Sequence, residues 1–294
     1  MAHQQSGHVK HALEEIISQN SSPETFTWLL SCVNSAAQFS SAFVSLPRKT
    51  GKNPAVISEA QHTTINTARP GFSIRGWTID RICRVWLLIA SDSSVKERYI
   101  KNIEHLFPSA EINELIALYS ALPVLAYPDS WTSRCSEGIR SNIGDVLTAI
   151  MCNNPYPSEN LSEAAWNQLV LKAFFTEKPV HHIIGVDSRA NERLARTLSD
   201  YAHERWAAGR SVHPQLWRNI GKFLDEGLFT DIEKLVESPD ELENEAAALA
   251  CHDSNYPPAK AVLHRNKNIQ SAIISGQLTW NTLAEKTSDY VLQQ

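Results

Sequence analysis

The stretch DYAHERWAAGR, residues 200–210, sets Asp200, His203 and Glu204 within one turn of a helical segment, beside Arg205, Trp206 and Arg210. An imidazole next to a carboxylate is the pairing that general acid/base catalysis uses, the carboxylate orienting the ring and stabilising its cation. His203 would move the proton and Asp200 or Glu204 would orient it. The trio can also be read as part of a metal site, but D-x-x-H-E supplies only half of one and no second half is recognisable. Against both stands a solvated charged face, with Arg196 and Asp200 paired at i, i+4.

An element must position these groups, and residues 187–208 are expected to form one helix capped by Asp187 or Ser188. At ~100° per residue, Ala190, Leu194, Leu198 and Tyr201 form its apolar stripe, while Asp200, His203 and Glu204 share the other side with Arg189, Arg193 and Arg196. Arg205 falls beside Leu198 and Tyr201, where a guanidinium needs a partner: an ion pair or a bound anion.

The segment 162–177 has Ser162 as a cap, Leu161 and Trp166 at hydrophobic-staple positions and Pro179 beyond its end. Its apolar residues point in almost every direction, so it is expected to be central. Asn167, Gln168 and Lys172 then imply a polar network or a polar-lined pocket. A third concentration, Arg134, Glu137, Arg140, Ser141 and Asn142, precedes an apolar pattern from Ile143. It reads as a charged ladder at i, i+3 or as an anion subsite near Asn153 and Asn154.

Familiar machinery is absent. The chain has no G-x-S-x-G, H-E-x-x-H or G-x-G-x-x-G, no complete phosphate loop around Gly51–Lys52, and no D-D-x-x-D. His181–His182 and His252–Asp253 lack the spacing of a metal site. Nothing calls for a cofactor or a metal.

Composition narrows the class. With 294 residues and a formal charge of −5, the chain can bury a large core and lacks the basic footprint of a nucleic-acid binder. Its five cysteines are scattered without a C-x-x-C pair, as in a reduced intracellular protein. The N-terminus has no secretory apolar region, and the run Val85 to Ala90 is too short to span a bilayer. A soluble cytoplasmic chain is expected.

Helical spacing prevails, so the chain reads as all-α: layered helical hairpins, a HEAT-like α-solenoid or an irregular helical bundle. Residues 1–44 are expected to form a helical hairpin of 7–20 and 24–43, and 45–75 a loop or lid carrying three prolines. Residues 76–294 form the main helical domain. Within it WTIDRICRVWLLIA, residues 77–90, is apolar nearly all round, with Asp80, Arg81 and Arg84 on one side, and belongs between neighbours.

EGIRSN (137–142), NPYP (154–157), AWNQLVLKAFF (165–175), RANERLARTLSDYAHERWAAGR (189–210) and LWR (216–218) together resemble the EboA-domain family over roughly residues 76–285. The resemblance implies an accessory protein of an Ebo-type secondary-metabolite cluster, binding a small metabolite or partner enzymes to support processing or traffic. Its implied partners are a small metabolite and other Ebo-cluster proteins, including a membrane prenyltransferase. It carries no catalytic residues over. Motif-matching positions with binding potential are Glu137, Arg140, Asn142, Asn167, Lys172, Arg189, Arg196 and Arg205, and Arg134 joins them as a binding candidate from the charged cluster alone. Two alternatives stay open: an enzyme of unrecognised class using His203 on an anionic or prenyl-linked metabolite, and a purely structural scaffold.

Overall fold

The computed structural model describes residues 2–33 and 35–287, which are predominantly helical; among them extended pairing is limited to an antiparallel bridge between Pro54 and Thr78. Contacts divide the chain into two units, residues 1–165 and 166–294.

The first unit holds α1 (Ala2–Asn20), α2 (Pro23–Val33), α3 (Ala36–Thr50), α4 (Glu59–Ala68), α5 (Ile79–Ala90), α6 (Lys96–Glu104), α7 (Ile112–Ala121), α8 (Thr132–Ile139), α9 (Gly144–Met151) and the short α10 (Tyr156–Asn160). Its hub is α5, against which α1, α3 and α7 pack. A helix apolar on nearly every side is stable only inside, and Ile82, Val85, Trp86, Leu87 and Leu88 are all buried. Each such side chain contributes about 1.5–3 kcal/mol, and Leu87→Ala would cost about 2–5 kcal/mol.

Charge inside this hub is paired. Arg84, 2 % exposed, donates to Asp80 Oδ2 at 2.5 Å and to the Phe43 carbonyl at 3.0 Å, with Glu114 Oε1 3.7 Å away. The cluster ties α3, α5 and α7 together, and removing one partner would strand a buried charge. Gly138 of α8 allows close approach. A Cβ there would lie 2.5 Å from Ile150 Cδ1 and 2.6 Å from the Tyr119 ring.

The boundary between units falls within α11 (Glu163–Phe175). The second unit continues with α12 (Glu192–Ala207), α13 (Glu226–Val236), α14 (Glu241–Asp253), α15 (Pro257–Arg265), α16 (Lys267–Ile274) and α17 (Trp280–Lys286). Its hub is α14, packed by α13, α15, α16, α17 and the 3₁₀ turn Pro214–Asn219. The small residues Ala246, Ala247, Ala248 and Ala250 let neighbours come close. A Cβ on Gly221 would lie 2.8 Å from the Ala250 backbone, so only glycine fits there without movement. Each unit is thus a bundle about one buried helix.

Three expectations change. Residues 24–43 are not one helix: α2 ends at Val33 and α3 starts at Ala36. Residues 45–75 are not one loop: α3 runs through Pro47 to Thr50, and Ser58 and Gln61 form a capping box that starts α4. The helix placed at 187–208 begins only at Glu192, because Asn191 Oδ1 caps it by accepting the Leu194 N–H at 2.9 Å. Asp187 is drawn away instead to buried Arg218, with contacts of 2.5 and 2.6 Å.

Candidate functional site

The apolar stripe of α12 buries Leu194, Ala195, Leu198 and Ala202 and leaves Asp200, His203 and Glu204 exposed. His203 finds its carboxylate on the next helix. Its Nε2 lies 2.6 Å from Asp231 Oδ1, whereas Asp200 and Glu204 make no side-chain hydrogen bond or ion pair among the described residues. The orienting role expected of those two therefore passes to Asp231. Ser199 donates its hydroxyl to Asp231 Oδ2 at 2.6 Å, so this buried carboxylate is held from both sides. With Nε2 on the carboxylate, Nδ1 is the atom left to accept a proton.

Asp231 was visible in principle. It stands between Leu228, Ile232 and Leu235, inside the apolar stripe of α13, where a lone carboxylate must be met by a donor. Around the pair, Trp206 stacks on buried Trp217 at 5.7 Å and 20°, and Lys234 Nζ lies 3.7 Å from the Trp206 ring centre. Arg196 bridges Glu192 and Asp225, each at 2.8 Å, fastening α12 to the capping residue of α13. The imidazole side chain is 56 % exposed. This arrangement can exchange protons with anything that reaches it, but Ser199 points its hydroxyl to Asp231 and not to His203, so no activated nucleophile results. Among the described residues no group of three His, Cys, Asp or Glu side chains is placed to hold a metal.

The other singled-out residues are mostly tied into structure. Arg205 donates from Nε to the Ser211 carbonyl at 2.6 Å and lies over Tyr201, and it forms no ion pair among the described residues. Asn167 and Asn191 exchange amide hydrogen bonds of 3.1 and 2.9 Å, which is a polar network at the start of α12. Arg189 covers the Trp166 ring at 4.9 Å. Lys172 is partly buried, while Gln168 and Phe175 are exposed, Phe175 at 69 %, so α11 is not enclosed on every side. Within the first unit Arg134 pairs with Glu137 at 2.8 Å, as the ladder requires, and also with Glu104. Arg140 and Asn142 are exposed.

A site the sequence did not disclose lies in the first unit. A cavity of about 370 Å³ is bounded by the end of α5, the segment Pro123–Pro128, α10 and the aromatic rings of Tyr99, Tyr127 and Tyr156. Its walls combine apolar and aromatic side chains with the polar Lys10, Arg69, Ser93, Glu159 and Asn160, and the tyrosine hydroxyls are turned into the backbone. Tyr127 donates to the Ser93 carbonyl at 2.6 Å, Tyr156 to the Pro128 carbonyl at 2.6 Å and Tyr99 to the Leu88 carbonyl at 3.3 Å. Burial raises the pKa of Tyr99 and Tyr156, keeping both phenols protonated. Arg69 closes one side, donating to Glu159 and to the Pro123 carbonyl at 2.8 Å, and Lys10 stands on the same wall. Tyr127 holds a left-handed φ of 59°, a conformation that costs a non-glycine residue about 1–2 kcal/mol, at the start of the turn Pro128–Trp131. A volume of this size is that of a small-molecule pocket.

A family model described as metabolite traffic protein EboA matches residues 9–221 of the 294. The match starts far before residue 76 and stops before 285, so the N-terminal hairpin region lies inside it. No curated protein and no solved structure matches the chain.

Proposed function

The chain belongs to the EboA family of metabolite traffic proteins, and from that premise we propose that it is a non-catalytic cytoplasmic accessory protein which binds a small, largely apolar or aromatic metabolite. The observation that carries this reading is the tyrosine-walled cavity of 370 Å³. It has the size of a ligand site, while its tyrosine hydroxyls already bond backbone carbonyls, which supports retention without turnover. A protein that receives a molecule from one enzyme and yields it to another needs this kind of site. Its partners are then the metabolite and other enzymes of its cluster, a membrane prenyltransferase among them. Among the described residues no helix is long and apolar enough to cross a membrane, so such an enzyme would be met at the membrane surface.

A second reading keeps His203 as a general base, favoured by its 2.6 Å contact with Asp231. The two are separated by native mass spectrometry of protein purified from its own host. Under the first, a stoichiometric small molecule is retained, Ser93→Trp at the cavity wall removes it, and His203→Ala leaves it in place. Under the second, His203→Ala abolishes product formation in host extract with folding intact. A bare chain, or one carrying only partner proteins, would contradict both and leave a scaffold.

A further inference from the structure

Three arginines that serve structure in this chain each have a carboxylate partner. Arg84 meets Asp80, Glu114 and the Phe43 carbonyl; Arg218 meets Asp187, Gln215 and Asn281; Arg134 meets two glutamates. Arg81, three residues before Arg84 on the hub helix, is different. Its Nε and Nη2 both go to one oxygen, Ser120 Oγ, at 3.1 and 2.7 Å, and Ser120 gives its own proton to the Ile116 carbonyl. A guanidinium carries five N–H donors, and the remaining three find no acceptor among the described residues. Asp80 is bound to Arg84, and Asp145 acts on Arg81 only through space.

The rest of its setting points the same way. The guanidinium carbon lies 4.0 Å from the centre of the Trp77 ring, so its face is covered while the in-plane donors stay available. Burial pulls the pKa of Arg81 downward, and the charges of Asp80 and Asp145 offset this only in part. The donors border a cavity of about 110 Å³ whose other polar walls include Ser73, Thr148 and Asn153. A water needs roughly 10–15 Å³ of such space, so this one admits a group of several heavy atoms. The Asn153 side-chain amide has no hydrogen-bond partner among the described residues, and its backbone is held at a left-handed φ of 52° at the cavity wall. Arg75, at the same wall, adds positive charge although Glu59 engages it.

We propose that this cavity is a binding site for a small oxyanion, the carboxylate or phosphate group of a ligand, gripped by the Arg81 fork with Asn153 as a second donor. A planar fork that presents paired N–H donors matches an oxyanion edge, which a lone hydroxyl such as Ser120 does not. The site is separate from the tyrosine-walled cavity and stands or falls without it.

The test titrates inorganic phosphate and, separately, acetate into the ¹⁵N-labelled full chain at constant ionic strength with chloride, following the arginine Nε–Hε resonances. The expected result is a saturable shift of the Arg81 resonance with a millimolar or tighter Kd. A stronger response to phosphate would mark a phosphate-bearing ligand, and a stronger response to acetate a carboxylate. Arg81→Lys keeps the charge but loses the fork and should weaken binding at least about tenfold. Thr148→Glu, at an exposed position on the cavity wall, should abolish it by supplying an internal carboxylate, and this variant decides the matter if Arg81→Lys does not fold. A shift no larger than chloride produces, or an unchanged Kd in folded Thr148→Glu, would overturn the proposal.

Discussion

The α12–α13 patch and the tyrosine-walled cavity divide what an enzyme would combine. The patch has the reactive pair, His203 and Asp231, but its imidazole is 56 % exposed and lines neither cavity described above. The cavity has a ligand-sized volume, but its hydroxyls bond carbonyls and burial keeps the Tyr99 and Tyr156 phenols protonated. Catalysis needs a proton-transfer group within reach of a held substrate. Because His203 is not among the residues lining the cavity, each feature is given a role of its own. On the proposed reading the cavity would retain a molecule, and the Ser199–Asp231–His203 bonds fasten α12 to α13.

The hardest way to break this comparison is to remove a wall. Tyr156→Ala should cost about 3–5 kcal/mol of stability by denaturant unfolding and abolish retention of any small molecule, whereas Tyr156→Phe should lose only about 1 kcal/mol with its hydrogen bond. Equal effects of the two would mean that the ring does not shape the cavity. Next in size is a pH effect in the second unit. Burial, aided by the nearby His181, lowers the pKa of His213 to about 4 from an ordinary 6.5. Because the folded value lies below the unfolded one, its contribution to stability is complete above about pH 6.5 and is lost as pH falls toward 4, by up to about 3 kcal/mol. His213→Asn, which can still accept the Gln215 N–H, should flatten that part of the stability profile.

Smaller effects sharpen the reading of the patch. Asp231→Ala strands the buried Ser199 hydroxyl and should cost about 1–3 kcal/mol. His203→Ala, which removes only the exposed partner, should cost less than about 1 kcal/mol by thermal unfolding. A His203 variant as damaging as Asp231→Ala would make the imidazole a structural group in its own right.

The fold was legible where pattern and burial coincide. An all-round apolar run marked α5 as a hub, and helical spacing predicted an all-α chain. Local backbone chemistry decided the rest. Ser58 and Gln61 start a helix inside a stretch whose prolines suggested a loop, and Asn191 shortens α12 because Arg218 claims Asp187. At the patch, His203 was identifiable from its type, but its partner was sought along its own helix because spacing arguments see only one element. Asp231 lies 28 residues on, across a helix pair. The cavity was invisible for a related reason. Tyr99, Tyr127 and Tyr156 come from distant segments with no shared pattern, and nothing in their spacing brings them together.

The most direct test of the central claim is tyrosine-selective ¹³C NMR on protein purified from its own host, before and after organic extraction of retained molecules. The account predicts that ring resonances of Tyr99, Tyr127 and Tyr156 move on extraction while that of Tyr201 on α12 does not. Movement of Tyr201 with the three cavity rings unchanged would contradict it and return the functional site to His203.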